Sequence, residues 1–214
     1  MYLVYGLQKS GISITKFFDK KNQEYKIWDD NKNVIKNLKK TFNKEKFFNP
    51  KNNNLDIFKN IYVSPGISLR QKKFRNRNNL VKIKRDLNLY ISNLNNENII
   101  AITGTNGKST TTKLVGDILK KNNLKTFVGG NIGKPLCSVL VSNVNYKFHV
   151  IELSSFQLET VKNLDTKISI ITNLSSDHLD RYKNINDYLN QKKNIISKSG
   201  FNLISIDDKY SRKI

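Results

Sequence analysis

The chain has 214 residues, with 38 Lys+Arg against 17 Asp+Glu, a formal net charge of +21, and 37% hydrophobic and 10% aromatic residues. That length suits one large or two small domains, and the apolar content suffices for a packed core, which excludes wholesale disorder. A single cysteine, Cys137, excludes an internal disulfide framework and fits a reducing compartment. No signal-peptide layout opens the chain and no apolar run approaches the roughly 18 residues of a membrane span, so a soluble, cytoplasmic protein with no membrane partner is expected.

The charge has two readings. Lysine (32), asparagine (31) and isoleucine (24) dominate while alanine occurs once. All three favoured residues have A/T-rich codons, so a compositional bias accounts for the basicity without a polyanion partner. The densest stretch, residues 70–85, holds eight basic side chains and no acid. It is expected to be a solvated face that steers anionic ligands, and no specific nucleic-acid partner is expected; a basic nucleic-acid binder is the alternative it motivates.

In chain order, a short apolar strand at residues 2–5 is followed by Gly6-Leu-Gln-Lys-Ser10-Gly11, a helical pattern through Phe17 and Phe18, and a second strand at 25–28 that ends in Asp29-Asp30. Strand, glycine turn, helix, strand and terminal acid is the layout of a dinucleotide-binding βαβ unit, although Gln8 stands where its middle glycine is wanted. A third strand at 61–63 runs into the turn Ser64-Pro65-Gly66. The polar segment 93–98 marks the boundary, with domains expected at 1–94 and 95–214.

Six of the ten glycines then fall between Gly104 and Gly133. Strands are expected at 99–103, 126–128, 148–153, 168–172 and 202–206, with helices between them at 109–121, 135–141, 156–161 and 185–198. This alternation predicts an α/β fold, a Rossmann-like domain followed by a P-loop-type, doubly wound, mainly parallel sheet, with ligands at the strand C-terminal ends.

The strongest motif is the strand 99–103 followed by Gly104-Thr105-Asn106-Gly107-Lys108-Ser109-Thr110-Thr111. A buried strand, a glycine loop and a helix start bind phosphate through backbone N–H groups, with Lys108 neutralising the β/γ-phosphates and Ser109 ligating Mg²⁺. Ile102 occupies the first glycine position of the usual phosphate-loop spacing. Later strands deliver further polar groups at their ends. These are Asn131 in a glycine-rich loop, Glu152 before Ser154 and Gln157, and His178 between Asp177 and Asp180. Glu152 suits a hard magnesium site.

Together GTNGKST at 104–110, GGNIG at 129–133, ELSSFQLE at 152–159 and NLSSDHLDRY at 173–182 resemble the Mur ligases that build peptidoglycan. The SSFQLE and DHLDRY combination is most similar to the D-glutamate-adding members; GTNGK is shared with folylpolyglutamate synthases. The resemblance reaches the first segment, through Val63-Ser-Pro-Gly66-Ile67 and Asp29. It implies an ATP- and Mg²⁺-dependent amide ligase, acting as a monomer, that joins D-glutamate to UDP-N-acetylmuramoyl-L-alanine through an acyl phosphate. It also implies catalytic roles for Lys108, His178 and Lys192, the last matching a lysine the family carbamylates. Ser109, Glu152 and His178 are the implied metal ligands, residues 104–111 the ATP loop, and Ser10, Asp29, Gly66, Asn131, Ser154 and Gln157 the substrate contacts. Asn88 stands where the family commonly has Glu, and the chain stops at Ile214 within the implied ATP-binding domain, before an amino-acid-binding domain. The alternatives are a non-catalytic nucleotide- or UDP-sugar-binding fragment of such a ligase, or a related ligase such as a folylpolyglutamate synthase.

Overall fold

The computed structural model describes residues 1–50, 54–74, 77–94, 98–162, 164–177 and 180–214. Two compact units divide the chain, Met1–Ser92 and Asn93–Ile214. The first contains β1 (Tyr2–Tyr5), α1 (Lys9–Lys20), β2 (Tyr25–Trp28), α2 (Lys32–Leu38), β3 (Asn60–Val63), α3 (Arg77–Lys82), β4 (Ile83–Lys84) and α4 (Asp86–Ile91). The second contains β5 (Asn98–Thr103), α5 (Lys108–Lys121), β6 (Thr126–Gly130), α6 (Ser138–Val141), β7 (Phe148–Glu152), α7 (Ser155–Leu158), β8 (Ile168–Ile171), α8 (Ile185–Lys193) and β9 (Phe201–Ile204).

Among the described residues every strand pairing is parallel, in the orders β2-β1-β3-β4 and β6-β7-β5-β8-β9. Strands of a parallel sheet bury both faces, and so read as continuous apolar runs. In β1, Leu3, Val4 and Tyr5 are all fully buried. Tyr2 stacks on Phe18 of α1, whereas Tyr5 meets the edge of Phe74. Tyr5 belongs to a core with Leu3, Leu55, Phe58, Ile61, Val63 and Ile83. In the second unit Ile100, Ile102 and Val150 form the sheet core, capped by Val115 and Leu119 of α5.

The expected α/β class and parallel sheets are what the chain forms. Among the differences, the helix expected to reach residue 198 ends at Lys193. There Ser197 turns the chain toward β9: its hydroxyl donates to the Thr166 carbonyl and its N–H is taken by the Asn202 side chain. In the basic stretch 70–85 the expected solvated face is replaced by mixed structure. Phe74 is fully buried, Lys73 pairs with Asp30 at 2.7 Å, and Arg85 is 0% exposed. The Arg85 guanidinium donates to the carbonyls of Val63, Ser64 and Ile67, and so clamps the loop after β3. Arg75 and Asn76 of this stretch lie outside the described residues.

In both sheets the chain crosses to the opposite side after its first strand has been flanked, so the carboxyl ends of β1 and β5 each sit at a switch in strand order, where open α/β sheets place ligands.

Candidate functional site

The glycine loop of the second unit leaves β5 at Gly104 and enters α5 through Gly107, whose φ of +79° is left-handed and favours glycine. Two of the loop's amides are already committed: Thr105 N–H to the Asn173 carbonyl at 2.8 Å, and Asn106 N–H to the Asn173 side-chain oxygen at 2.9 Å. Thr172 and Asn173 in turn donate to the Asn106 carbonyl, and the Thr105 hydroxyl lies 3.0 Å from the Tyr188 hydroxyl. The segment after β8 therefore braces the loop. The first intrahelical bond made by a residue after the loop runs from Thr111 N–H to the Gly107 carbonyl, so the amides of Lys108, Ser109 and Thr110 head the helix, where an anion is stabilised. Lys108 curls back to donate to the Thr105 carbonyl at 2.7 Å. A phosphate oxygen is a stronger acceptor for that ammonium than a neutral carbonyl.

Glu152, at the end of β7 and 1% exposed, is the hub of the site. One carboxylate oxygen accepts from Ser109 Oγ at 2.7 Å and the other from Asn131 Nδ2 at 2.8 Å. Asn131 is itself fixed by its N–H on the Glu152 carbonyl. Three side chains named from sequence, on α5, β7 and the loop after β6, thus meet. Ser109 and Glu152 together offer hard oxygens suited to magnesium. His178 lies outside the described residues. Ser154 and Gln157 bond each other as a capping box that starts α7.

Lys192 is buried, 2% exposed, and donates to Thr103 Oγ1 at 3.0 Å and the Gly104 carbonyl at 2.7 Å. Burial, and next the like charge of Lys108, push its ammonium down to about 7, against the opposing pull of Asp177 and Glu152. A lysine in that range is substantially neutral at physiological pH and nucleophilic. Nothing in the residue pattern alone distinguished it among 32 lysines. The bracing residues Thr103, Asn173 and Tyr188 were also missed; the available signal was their place at strand ends and one turn before Lys192.

In the first unit, Asp29 accepts from Leu7 N–H at 2.7 Å and Asn31 N–H at 2.8 Å, tying the end of β2 to the glycine turn. Ser64 Oγ donates to the Gly6 carbonyl at 2.6 Å, tying the turn to β3. Gly11 packs its helix directly on that turn: a Cβ there would stand 1.9 Å from the Gly6 carbonyl oxygen. Ser10 heads α1 beside it, and Gly66 has open space around the position of a Cβ. A cavity of about 580 Å³ opens beyond Asp29, lined by Trp28, Asp30 and Lys73 among others.

Residues 102–214 match the Mur ligase middle domain and residues 1–83 the MurD-like N-terminal domain of Mur ligases. Among curated relatives, the UDP-N-acetylmuramoylalanine–D-glutamate ligase of Wolbachia pipientis wMel is 36% identical over 99% of this chain and 42% of its own length. That of Rickettsia prowazekii (strain Madrid E) is 37% identical over 99% of this chain and 47% of its own. The chain thus spans about half the length of these relatives. Among solved structures, UDP-N-acetylmuramate:L-alanyl-gamma-D-glutamyl-meso-diaminopimelate ligase from Neisseria meningitides superposes with a TM-score of 0.55 at 12% identity. The match covers 99% of this chain and 73% of that one, a likeness of fold.

Proposed function

The chain belongs to the Mur ligase family, and from that premise we propose that it carries the UDP-substrate and ATP sites of a ligase that adds D-glutamate to UDP-N-acetylmuramoyl-L-alanine. The observation that carries this reading is the Ser109–Glu152–Asn131 cluster at the mouth of a phosphate loop, with a neutralised buried lysine behind it. Family membership supports reading the phosphate loop as an ATP site, and the relatives' names suggest the amino acid and the acceptor.

In this reading a carboxylate oxygen of the alanyl group of the UDP substrate attacks the γ-phosphorus of ATP; the P–O bond to the β-phosphate breaks and ADP leaves with its electrons. The D-glutamate amine then attacks the resulting acyl phosphate, forming the amide C–N bond; the C–O bond breaks, phosphate leaves with its electrons, and the amine gives up a proton. Both steps gather negative charge on phosphoryl oxygens, so positioned positive charge and N–H donors are the main catalytic resource. The amides of Lys108, Ser109 and Thr110 hold the phosphates and Lys108 neutralises them. Ser109 and Glu152 would hold Mg²⁺, which supplies further neutralisation of the phosphates. Asn131 keeps Glu152 oriented and stands beside the acceptor. Lys192, neutral in a useful fraction near pH 7, is able to react with CO₂ to form the carbamate the family resemblance implies. In the first unit the turn 6–11, Asp29 and the loop 64–67 take the uridine nucleotide.

The test combines titration of the 214-residue chain with UDP-N-acetylmuramoyl-L-alanine and with ATP, and a phosphate-release assay on the protein expressed from its full reading frame. Binding of both ligands by the chain, and release that needs both D-glutamate and the UDP substrate, is the expected result. Binding without D-glutamate-dependent release leaves a nucleotide-binding fragment. Binding of neither ligand overturns both readings.

A further inference from the structure

The cavity at the carboxyl end of β2 is lined by Trp28, Asp29, Asp30, Asn49 and Lys73, by Lys32, Ile35 and Lys36 of α2, and by Lys39 just past it. Its volume of about 580 Å³ suits a nucleoside-sized ligand. In a βαβ unit the diphosphate lies at the glycine turn and helix start, the ribose at the acid ending the second strand, and the base beyond it. Asp29 is that acid here, so the cavity is the place for the base, resting on the reading of this unit as the site of a UDP substrate.

The polar groups of the cavity are unequal. Asp29 already accepts from two backbone amides. Asp30 accepts from Tyr5 Oη at 2.6 Å, Trp28 Nε1 at 3.3 Å and Lys73 Nζ at 2.7 Å. Burial raises the Asp30 carboxyl, but the hydrogen bonds from Lys73 and Tyr5 and the Lys73 charge outweigh it and hold the group below its ordinary value. It is therefore ionised and occupied. Lys32, Lys36 and Lys39 are exposed. Lys73 is different: its side chain is only 26% exposed and is pinned by Asp30 and by the Tyr5 hydroxyl, both of which it donates to. An ammonium has three N–H donors, so one remains for the cavity.

We propose that Lys73 is a specificity-determining residue that selects a 4-keto pyrimidine in this cavity. Uracil presents a carbonyl acceptor at C4, which a fixed ammonium satisfies. Cytosine presents an amino group there, which sets donor against donor and leaves the ammonium's third N–H unpaired. Discrimination of this kind, resting on an unpaired polar group, exceeds what a purely apolar pocket achieves.

The experiment is calorimetric titration of the chain and of Lys73→Met with UDP-N-acetylmuramoyl-L-alanine, UDP and CDP. Wild type is expected to bind UDP at least tenfold more tightly than CDP. In Lys73→Met that ratio is expected to fall to threefold or less, mainly through weaker UDP binding, because Asp30 then faces the base as an acceptor. Tyr5→Phe, which removes one anchor of Lys73 while keeping its charge, is expected to give an intermediate ratio. An unchanged UDP/CDP ratio in Lys73→Met, or equal weakening of both ligands, overturns the proposal while binding of UDP-N-acetylmuramoyl-L-alanine by wild type keeps the reading of this unit intact. Wild type that binds none of the three overturns both.

Discussion

Lys192 illustrates how a single buried group sets a measurable property of the second unit. Its ammonium is held near 7 in the folded chain, against 10.5 for an ordinary lysine, by burial and then by Lys108. Between those values the unfolded chain binds the extra proton, so stability rises with pH across that window, and the full cost of the buried charge is felt below pH 7. Lys192→Met removes the group. The stability difference between variant and wild type is therefore expected to be most favourable to the variant near pH 6 and to shrink toward pH 9, with a slope approaching about 1.4 kcal/mol per pH unit above neutrality. Cys137, fully buried and the only thiol, reports unfolding of this unit by its labelling in urea. A pH-independent difference would show that Lys192 keeps an ordinary pKa. Residues 104–111, Glu152 and Asn131 were legible because glycine spacing and polar strand ends are local patterns. Lys73 and Arg85 were not, and Lys192 only through the family resemblance: what separates a buried, bonded cation from a solvated one is tertiary contact, and a lysine-rich composition hides it.

At the level of elements, the glycine turn of the first unit was legible as a turn but its purpose at Gly11 was not. Inside an exposed helix, Gly→Ala stabilises by about 1 kcal/mol. In α1 the sign reverses, since the new Cβ would stand 1.9 Å from the Gly6 carbonyl oxygen, a backbone atom held in place by Ser64. Gly11→Ala is expected to lift the start of α1 off the turn and cost about 1–3 kcal/mol, the usual range of overpacking. Gly66→Ala, with open space around its Cβ, is expected to stay within about 0.5 kcal/mol of wild type. Trp28, the single tryptophan, lies on β2 in this unit, and its fluorescence during urea unfolding gives both values. Short elements such as β4, two residues long, carry no periodicity to read. The clamp of Arg85 on the loop 63–67 follows from that strand, because β4 delivers Arg85 to the carboxyl end of β3.

Across the whole molecule, the same device is used twice: a parallel sheet whose strand order switches at its first strand, with a glycine turn leading into a helix at that point. The two sites differ in their charge. The turn of the second unit ends in Lys108 and Ser109 beside a buried Glu152, the place the proposed function gives to a polyphosphate and its metal. The first ends in Gln8 and leads to a cavity with Trp28 and Lys73, the place proposed for a base. Because each set of residues lies within one unit, the two ligands are expected to be separable by mutation. Lys108→Ala removes the ammonium that would meet the β/γ-phosphates and is expected to weaken ATP binding by about 1.5–3 kcal/mol, some ten- to hundredfold. Binding of UDP-N-acetylmuramoyl-L-alanine to the same variant is expected to stay within twofold of wild type. Calorimetry on the 214-residue chain measures both. Parallel loss of the two affinities would mean that the ATP loop and the UDP-substrate site are not divided between the units as proposed.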